Sequence, residues 1–493
     1  MNTRATQRLQ ILQRHITSAT TKQETVCVLG AGSFGSAITR VLAQAPATSM
    51  VNLHCHRSSV AHEINTHRTN QQYFPNVDNV FPPKVTATHV LKQAITGANI
   101  VVVVVPSSYL PPLLAEIAQH RHLLAKDAMV VSLVKSLHYN DTAGVHALTT
   151  MCEEITQALQ LPTVCLSGPN IYTEMIHDEF AEATIGHLDT DYDAALRAQH
   201  VFTTETFRAS LCNDRKGVEL CGGLKNVISL AAGFCEGLHQ GANTKAAVIR
   251  LGLKEMALFS SHLGVNSATV YEESSGVGDL LLTCTVGRGR QLAKSFVETY
   301  DAEGACASVE QSKARWAELE QETLNGMKLP DWSNAKVVHD YMANVGFEPL
   351  SFPLFTAIYN ISYLGASPST ILEALKTAVA ASTSSTSSTS FTSTSSLPVI
   401  TAPKRTVNLA GKRALVTGAA SGIGRAIAEH LSECGTWHML WCCNECCWFV
   451  YFFAYLWFIM YCFFFSISKH FLATFLTTLS DNFFDNFLTI RPV

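Results

Sequence analysis

The sequence predicts a Rossmann-like, doubly wound α/β domain followed by an all-α domain. Three observations carry that expectation. A short apolar run, Val26 to Leu29, ends in Gly30-Ala31-Gly32-Ser33-Phe34-Gly35 and passes at once into a helical pattern. Further apolar, β-branched runs recur downstream, the purest being Ile100 to Val105. After Asn213 these runs give way to helix-length segments separated by Gly, Pro, Asn and Ser.

The 493 residues suffice for two or three domains. The chain is 47% hydrophobic and only 15% charged, and much of the apolar excess lies at its end. A net charge of −4 with no basic stripe argues against a nucleic-acid partner, so any site for an anionic substrate must be locally positive. Of the 15 cysteines, Cys27, Cys165, Cys221 and Cys235 sit singly inside apolar runs, as buried reduced thiols do, which points to a reducing compartment.

Residues 1–24 carry Arg4, Arg8, Arg14 and Lys22 with no acid before Glu24, and Leu9, Leu12 and Ile16 fall at helical spacing. A disordered leader and an organellar transit peptide both fit. The nucleotide-binding domain is expected over 25–212. In its glycine loop, Gly30 allows the tight turn, Gly32 lets backbone approach a pyrophosphate, and Gly35 lets helix pack on sheet. Free N–H groups from Ser33 to Ser36 then face the phosphates. Met50 to Cys55, Ile100 to Val105, Met129 to Val134 and Val164 to Leu166 are the next strands. Ligands gather at the carboxyl ends of such strands, here Pro106 to Tyr109, Lys135, and Ser167 to Asn170.

A helical domain is expected over 213–380, with helices near 217–233, 243–263, 291–298, 335–344, 353–363 and 368–380. The cleft between the two domains is the natural place for a small molecule. Residues 381–405 read as a Ser/Thr-rich linker. A second strand–glycine–helix start, with Thr417-Gly418 and Gly422-Ile423-Gly424, occupies 406–436, its helix running from Arg425 to Cys434. From 437 to 493 the chain is aromatic and cysteine-rich. The uncharged stretch 446–467 is long enough to span a bilayer, and a translated out-of-frame tail would look the same. The pairs Cys442/Cys443 and Cys446/Cys447 lack a second ligand group at a defined distance, so no metal is expected.

Five side chains stand out chemically. Lys135 follows a strand and projects from its carboxyl edge. Lys225 lies in an apolar helical segment, where burial and a nearby second cation would lower its pKa and suit it to proton transfer; a lysine reaching solvent from a helix edge is the plainer alternative. Asp279 is a lone carboxylate beside glycines, suited to orienting a lysine or to capping the next helix. Arg288 and Arg290 precede a helix start, a good setting for phosphate, or are simply solvated.

Taken together, Gly30 to Ala37, Ser132 to Lys135, Ser167 to Asn170, Glu219 to Val227, Gly241 to Gly252, Gly276 to Cys284 and Leu324 to Lys328 resemble the NAD(P)-dependent glycerol-3-phosphate dehydrogenases. They run in the family's order over roughly residues 25–378. The resemblance implies reversible hydride transfer between dihydroxyacetone phosphate and sn-glycerol 3-phosphate, linking glycolysis to glycerolipid synthesis. It implies Lys225 as proton donor and acceptor, with Lys135 and Asp279 as further catalytic residues. Substrate would meet Lys135, Asn226, Thr283, Arg288 and Gly289. Cofactor would meet Gly30, Ala31, Gly32, Ser33, Phe34, Gly35, His56, Arg57, Tyr109, Lys135, Pro169, Arg288 and Lys328. The 406–436 segment resembles the start of a short-chain dehydrogenase, without the Tyr-x-x-x-Lys that its activity needs.

Some residues depart from the pattern. Gly289 stands where the family usually has Asn, which removes a side-chain contact to phosphate. Pro330 replaces a Gln found in some relatives, and Pro169 a small residue. At the end of the second strand His56-Arg57 replaces an acid; Arg57 could accommodate the 2′-phosphate of NADP. NAD is expected as cofactor, with NADP as the alternative. A homodimer in the cytoplasm is expected, with an organelle reached through residues 1–24 or a membrane held through 446–467 as alternatives. Two other functions share the build: a hydroxy-acid dehydrogenase, which would not need Arg288, and a non-catalytic, membrane-tethered NAD-binding protein, which would not need both lysines.

Overall fold

The computed structural model describes residues 23–142, 145–324, 326, 328–384, 413–417 and 437–441. The chain divides into two compact units, Met1–Thr389 and Ser390–Val493.

The first unit opens with an eight-stranded sheet. Its strands are β1 (Glu24–Leu29), β2 (Thr48–His54), β3 (Val85–Thr88), β4 (Ile100–Val103), β5 (Met129–Ser132), β8 (Thr163–Ser167), β9 (Ala181–Gly186) and β10 (Phe207–Cys212), in the spatial order β10-β9-β8-β5-β4-β1-β2-β3. A separate antiparallel hairpin, β6 (His138–Thr142) and β7 (Val145–Thr149), follows β5. The period of two along each central strand explains the layering. Val26, Val28, Ile100, Val102, Met129 and Val131 feed one core, and Cys27, Leu29, Val101, Val103 and Val130 the other. Both faces are therefore covered by helices, which is why these strands read as continuous apolar runs. The strand order reverses at β1, beside β4, and the glycine loop leaves β1 there.

The sheet is not wholly parallel: β9 runs antiparallel to β8, and β10 parallel to β9. β3, β9 and β10 lie on the far sides of the sheet and alternate buried with exposed positions over part of their length, so they lack the unbroken apolar signature by which the inner strands were recognised.

The helices of the sheet region are α1 (Ser33–Gln44), α2 (Ser58–His67), α3 (Leu91–Ile95), α4 (Leu110–Gln119), α5 (Met151–Leu159), α6 (Tyr172–Met175) and α7 (Tyr192–Phe202). The helical part holds α8 (Arg215–Gly237), α9 (Ala242–His262), α10 (Ser267–Glu272), α11 (Asp279–Val286), α12 (Arg288–Glu303), α13 (Val309–Leu324), α14 (Asp331–Val345), α15 (Pro353–Leu364) and α16 (Thr370–Ser384). α8 is the axis around which the others pack, and it is buried almost from end to end. It is the one helix among the described residues long and apolar enough to cross a membrane, and that length is buried inside the protein. An added Cβ at Gly233 would lie 2.1 Å from the Arg290 carbonyl oxygen, so only glycine lets the start of α12 touch α8. That contact brings the Arg288–Arg290 segment to the helix that carries Lys225.

Two boundaries differ from expectation. Glu24 belongs to β1, not to the leader: its N–H donates to the Ala47 carbonyl and its carboxylate is gripped by Arg197. α16 runs on to Ser384, into the Ser/Thr stretch.

In the second unit, β11 (Arg413–Thr417) and β12 (Trp437–Trp441) pair in parallel, with Leu415 opposite Met439. β12 falls where sequence reading found no further order. Its two tryptophans favour a strand, but no turn signal marks Trp-His-Met-Leu-Trp off from the aromatic run that follows. Residues 1–22, the linker 385–405, the helix expected at 425–434, the paired cysteines and the span 446–467 lie outside the described residues.

Candidate active site

Two helices each present a pair of polar side chains one turn apart, the spacing that places i and i+4 on one face. α8 offers Lys225 and Ser229, and α11 offers Asp279 and Thr283. Where these helices meet, Lys225 Nζ donates to Asp279 Oδ1 at 2.6 Å and to Thr283 Oγ1 at 2.7 Å. Thr283 Oγ1 in turn donates to the Asp279 carbonyl at 2.6 Å. From the sheet side, Lys135 lies three residues beyond β5 and reaches the other carboxylate oxygen, Asp279 Oδ2, at 2.8 Å. It also donates to the Gly168 carbonyl at 3.1 Å. A Cβ at Gly222 would come within 3.4 Å of Lys135 Cγ, so α8 is trimmed where this side chain passes.

Two ammonium groups thus share one carboxylate, leaving a local surplus of one positive charge in a chain of net charge −4. Asp279 heads α11 yet makes no capping bond; its carboxylate serves the lysines instead. Burial pushes the Lys135 amine down to about 8; Asp279 opposes the shift and the like charge of Lys225 adds to it.

The other residues singled out by sequence fall around this cluster in different ways. Asn226 is buried next to Lys225 on α8. Arg288 is the first residue of α12, whose cap, Gly287, offers no side-chain bond to the helix N–H groups; Gly289 is buried behind it. Arg290 pairs with Glu236 on α8 and so serves packing. Pro169 packs beside Gly278, just before α11. Tyr109 stands exposed just past β4, and His56 and Arg57 stand exposed past β2, with Arg57 donating to the Gln72 side chain. Lys328 is mostly exposed and pairs with Glu320 at 2.8 Å.

The glycine loop has the form that a nucleotide needs. Gly32 caps α1 without a side-chain bond, and nothing lies within 4 Å of where its Cβ would be. Backbone and ligand can meet there, facing the unpaired N–H groups of the first turn. A Cβ at Gly35 would lie 1.9 Å from the Gly30 carbonyl oxygen, the close approach expected of the third glycine. Ala31 and Phe34 are half-buried against the sheet core.

Sequence reading missed two features. Asp331, at the head of α14, is buried, accepts from Ser229 Oγ at 3.3 Å and lies within the field of Lys225 and Arg288. Its only sequence signal is a carboxylate directly after Pro330. Cys152, Cys165 and Glu219 bring two thiols and a carboxyl within 4.8 Å of one another. Burial raises the Cys152 thiol well above its ordinary value and pushes Glu219 up to about 7, which favours neutral groups there. The cysteines that were expected to be buried and reduced are buried, and none of the four is in a disulfide.

Residues 25–193 match the model for the NAD-dependent glycerol-3-phosphate dehydrogenase N-terminus, and residues 214–373 the model for its C-terminus. The chain is 35% identical over 352 residues to the cytoplasmic glycerol-3-phosphate dehydrogenase [NAD(+)] of Rattus norvegicus, covering 69% of this chain and 94% of that one. Among solved structures, DsGPDH of Dunaliella salina superposes with a TM-score of 0.64 at 27% identity, covering 73% of this chain and 62% of that chain. The glycerol-3-phosphate dehydrogenase of Plasmodium falciparum gives 0.62 at 28% identity, covering 73% of this chain and 97% of its own. Fold and site define a two-domain, nucleotide-dependent oxidoreductase. More narrowly, the chain belongs to the NAD-dependent glycerol-3-phosphate dehydrogenase family, and its cofactor is NAD.

Proposed function

We propose that this chain interconverts dihydroxyacetone phosphate and sn-glycerol 3-phosphate, with Lys225 as the proton donor and acceptor. The observation that carries the assignment is the shared carboxylate: Lys225 is buried and fixed by Asp279 and Thr283, and Lys135 is fixed to the same Asp279 from the opposite domain. Bound NAD supplies the hydride acceptor, and its reduced form the donor. In the direction of ketone reduction, Lys225 gives a proton to the oxygen as negative charge grows there and is left as the neutral amine. In the reverse direction the amine takes the hydroxyl proton. Lys135 adds a second fixed positive charge in a site largely closed to water, where such charge counts most. Asp279 holds both amines in place through its two carboxylate oxygens.

Arg288 would hold the phosphate, aided by the N–H groups opening α12, and so fix the reacting carbon. Asn226 and Thr283 would complete the substrate wall, and Gly289 would offer only its backbone. Gly30 to Gly35 would cradle the pyrophosphate, with Tyr109, Pro169 and Lys328 on the cofactor side and His56 and Arg57 at the adenosine ribose. Mixing the purified chain with NADH and dihydroxyacetone phosphate should consume the reduced nicotinamide; an unphosphorylated hydroxy-acid pair should not substitute. No turnover with either nicotinamide coenzyme would sink the assignment.

We also read the protein as cytoplasmic, in line with the cytoplasmic relatives, and as a homodimer, as the family resemblance implies. Residues 406–436 are read as the opening of a short-chain dehydrogenase fold without a second activity, and the parallel pairing of β11 and β12 supports that reading.

A further inference from the structure

The roles assigned above leave Asp331 without a task. It is a buried carboxyl at the head of α14, and its placement is specific. A Cβ built on Gly289 would lie 1.7 Å from Asp331 Oδ1 and 2.5 Å from its Cγ. The carboxyl therefore lies against the first turn of α12, in the volume that any side chain at position 289 would require. Its other contact is Ser229 Oγ, one turn along α8 from Lys225. Both Lys225 and Arg288 act on it as opposite charges.

We propose that Asp331 is a specificity-determining residue of this site: with Gly289 it forms one unit that sets the affinity for the substrate phosphate. The inference rests on Arg288 being the phosphate-holding group. Two physical consequences follow from the geometry. The carboxyl substitutes sterically for a side chain at 289, so a side chain can be added at 289 only if the residue at 331 is made smaller. It is also the chain's own anion beside Arg288 and Lys225, so an incoming phosphate meets cations that are already partly compensated. Like charge about 6 Å from a bound dianion weakens binding by roughly tenfold even at the dielectric of bulk water.

The test uses the full chain. Asp331→Asn keeps the shape and the acceptor for Ser229 while removing the charge. It should lower KM for dihydroxyacetone phosphate and the inhibition constant of inorganic phosphate by roughly tenfold, with a much smaller effect on kcat and on KM for NADH. Gly289→Asn alone should raise KM and lower the melting temperature, and Gly289→Asn combined with Asp331→Gly should recover most of both. A purely structural Asp331 would move the melting temperature without the selective fall in KM. If Asp331→Asn leaves KM and phosphate inhibition as in the unaltered chain, or raises them, the proposal is overturned. So it is if the double variant does no better than Gly289→Asn. Calorimetric titration with inorganic phosphate reads the same corner without turnover, so an enzyme inert toward dihydroxyacetone phosphate would count against the proposed reaction and leave this test standing.

Discussion

Lys225 Nζ lies 2.6 Å from Asp279 Oδ1, with both side chains more than nine-tenths buried. A pair so placed depends on completeness. Removing one partner strands an uncompensated charge, which typically costs about 3–5 kcal/mol. Here the loss doubles in kind, because Lys135 uses the other oxygen of the same carboxylate. Asp279→Ala should therefore lower stability by about that amount, read by urea denaturation. Lys225→Met leaves Asp279 paired with Lys135, so it should unfold at nearly the original denaturant concentration. Its kcat should fall by about 10²–10⁴, the usual contribution of a positioned proton donor. A Lys225→Met enzyme with normal kcat would remove that residue from the chemistry.

The pH dependence should betray Lys135. Its amine is pushed down to about 8 from an ordinary value of 10.5, mainly by burial. Below pH 8 it is charged and supports the anionic transition state; as pH rises through 8 the charge is lost. kcat/KM for ketone reduction should fall over that range, and Lys135→Arg, which cannot lose its charge, should move the fall to higher pH even if its maximum is lower. Stability runs the other way. Between pH 8 and 10.5 the unfolded chain holds the proton that the native chain has released, so this group makes the native state relatively more stable as pH rises through that window.

The site was legible where burial and chemistry conflict within a short stretch. Lys225 among Leu220, Leu224 and Ile228 is such a conflict, and so is Asp279 among Leu280 and Leu281. The inner strands were legible because β1, β4 and β5 are buried on both faces. β9 and β10 were not, since Glu182 interrupts the apolar pattern of β9 and exposed Arg208 and Ser210 interrupt that of β10. Asp331 escaped for a different reason. Its meaning lies in a contact with Gly289, 42 positions away by sequence numbering, and nothing local to either residue reveals that the two share one volume.

Glu255 offers a test far from the chemistry. It lies on α9 and accepts from Leu354 N at 2.8 Å and Phe355 N at 2.9 Å, two of the unpaired N–H groups that open α15. Burial pushes its carboxyl up to about 7. The native state then keeps a proton that the unfolded state has lost from about pH 4.5 upward. Stability from this group is greatest below that range and falls as pH rises toward 7. Glu255→Gln should flatten that slope in denaturation measurements at pH 5 and pH 7.5. It should also cost about 1–3 kcal/mol at the lower pH, since one amide oxygen now serves two N–H donors. An unaltered slope would assign the pH dependence to Glu219, or to Asp331, whose carboxyl burial pushes up to about 6.

The glycine loop separates folding from binding at two positions three residues apart. Gly35→Ala would put a methyl group 1.9 Å from the Gly30 carbonyl oxygen, which is backbone and cannot step aside. Overpacking of that kind costs about 1–3 kcal/mol, and the variant should melt early whether or not cofactor is added. Gly32→Ala meets nothing within 4 Å, and its backbone angles suit alanine. The loss of a tolerated cap should lower stability by no more than about 1 kcal/mol. Yet the new methyl group occupies the surface over which a pyrophosphate must reach the N–H groups of α1. NADH affinity, followed by quenching of tryptophan fluorescence, should fall by at least tenfold in Gly32→Ala, while its melting temperature without cofactor stays close to that of the unaltered chain. If both variants bind NADH equally well and differ only in stability, the open face of Gly32 is not where the nucleotide lies.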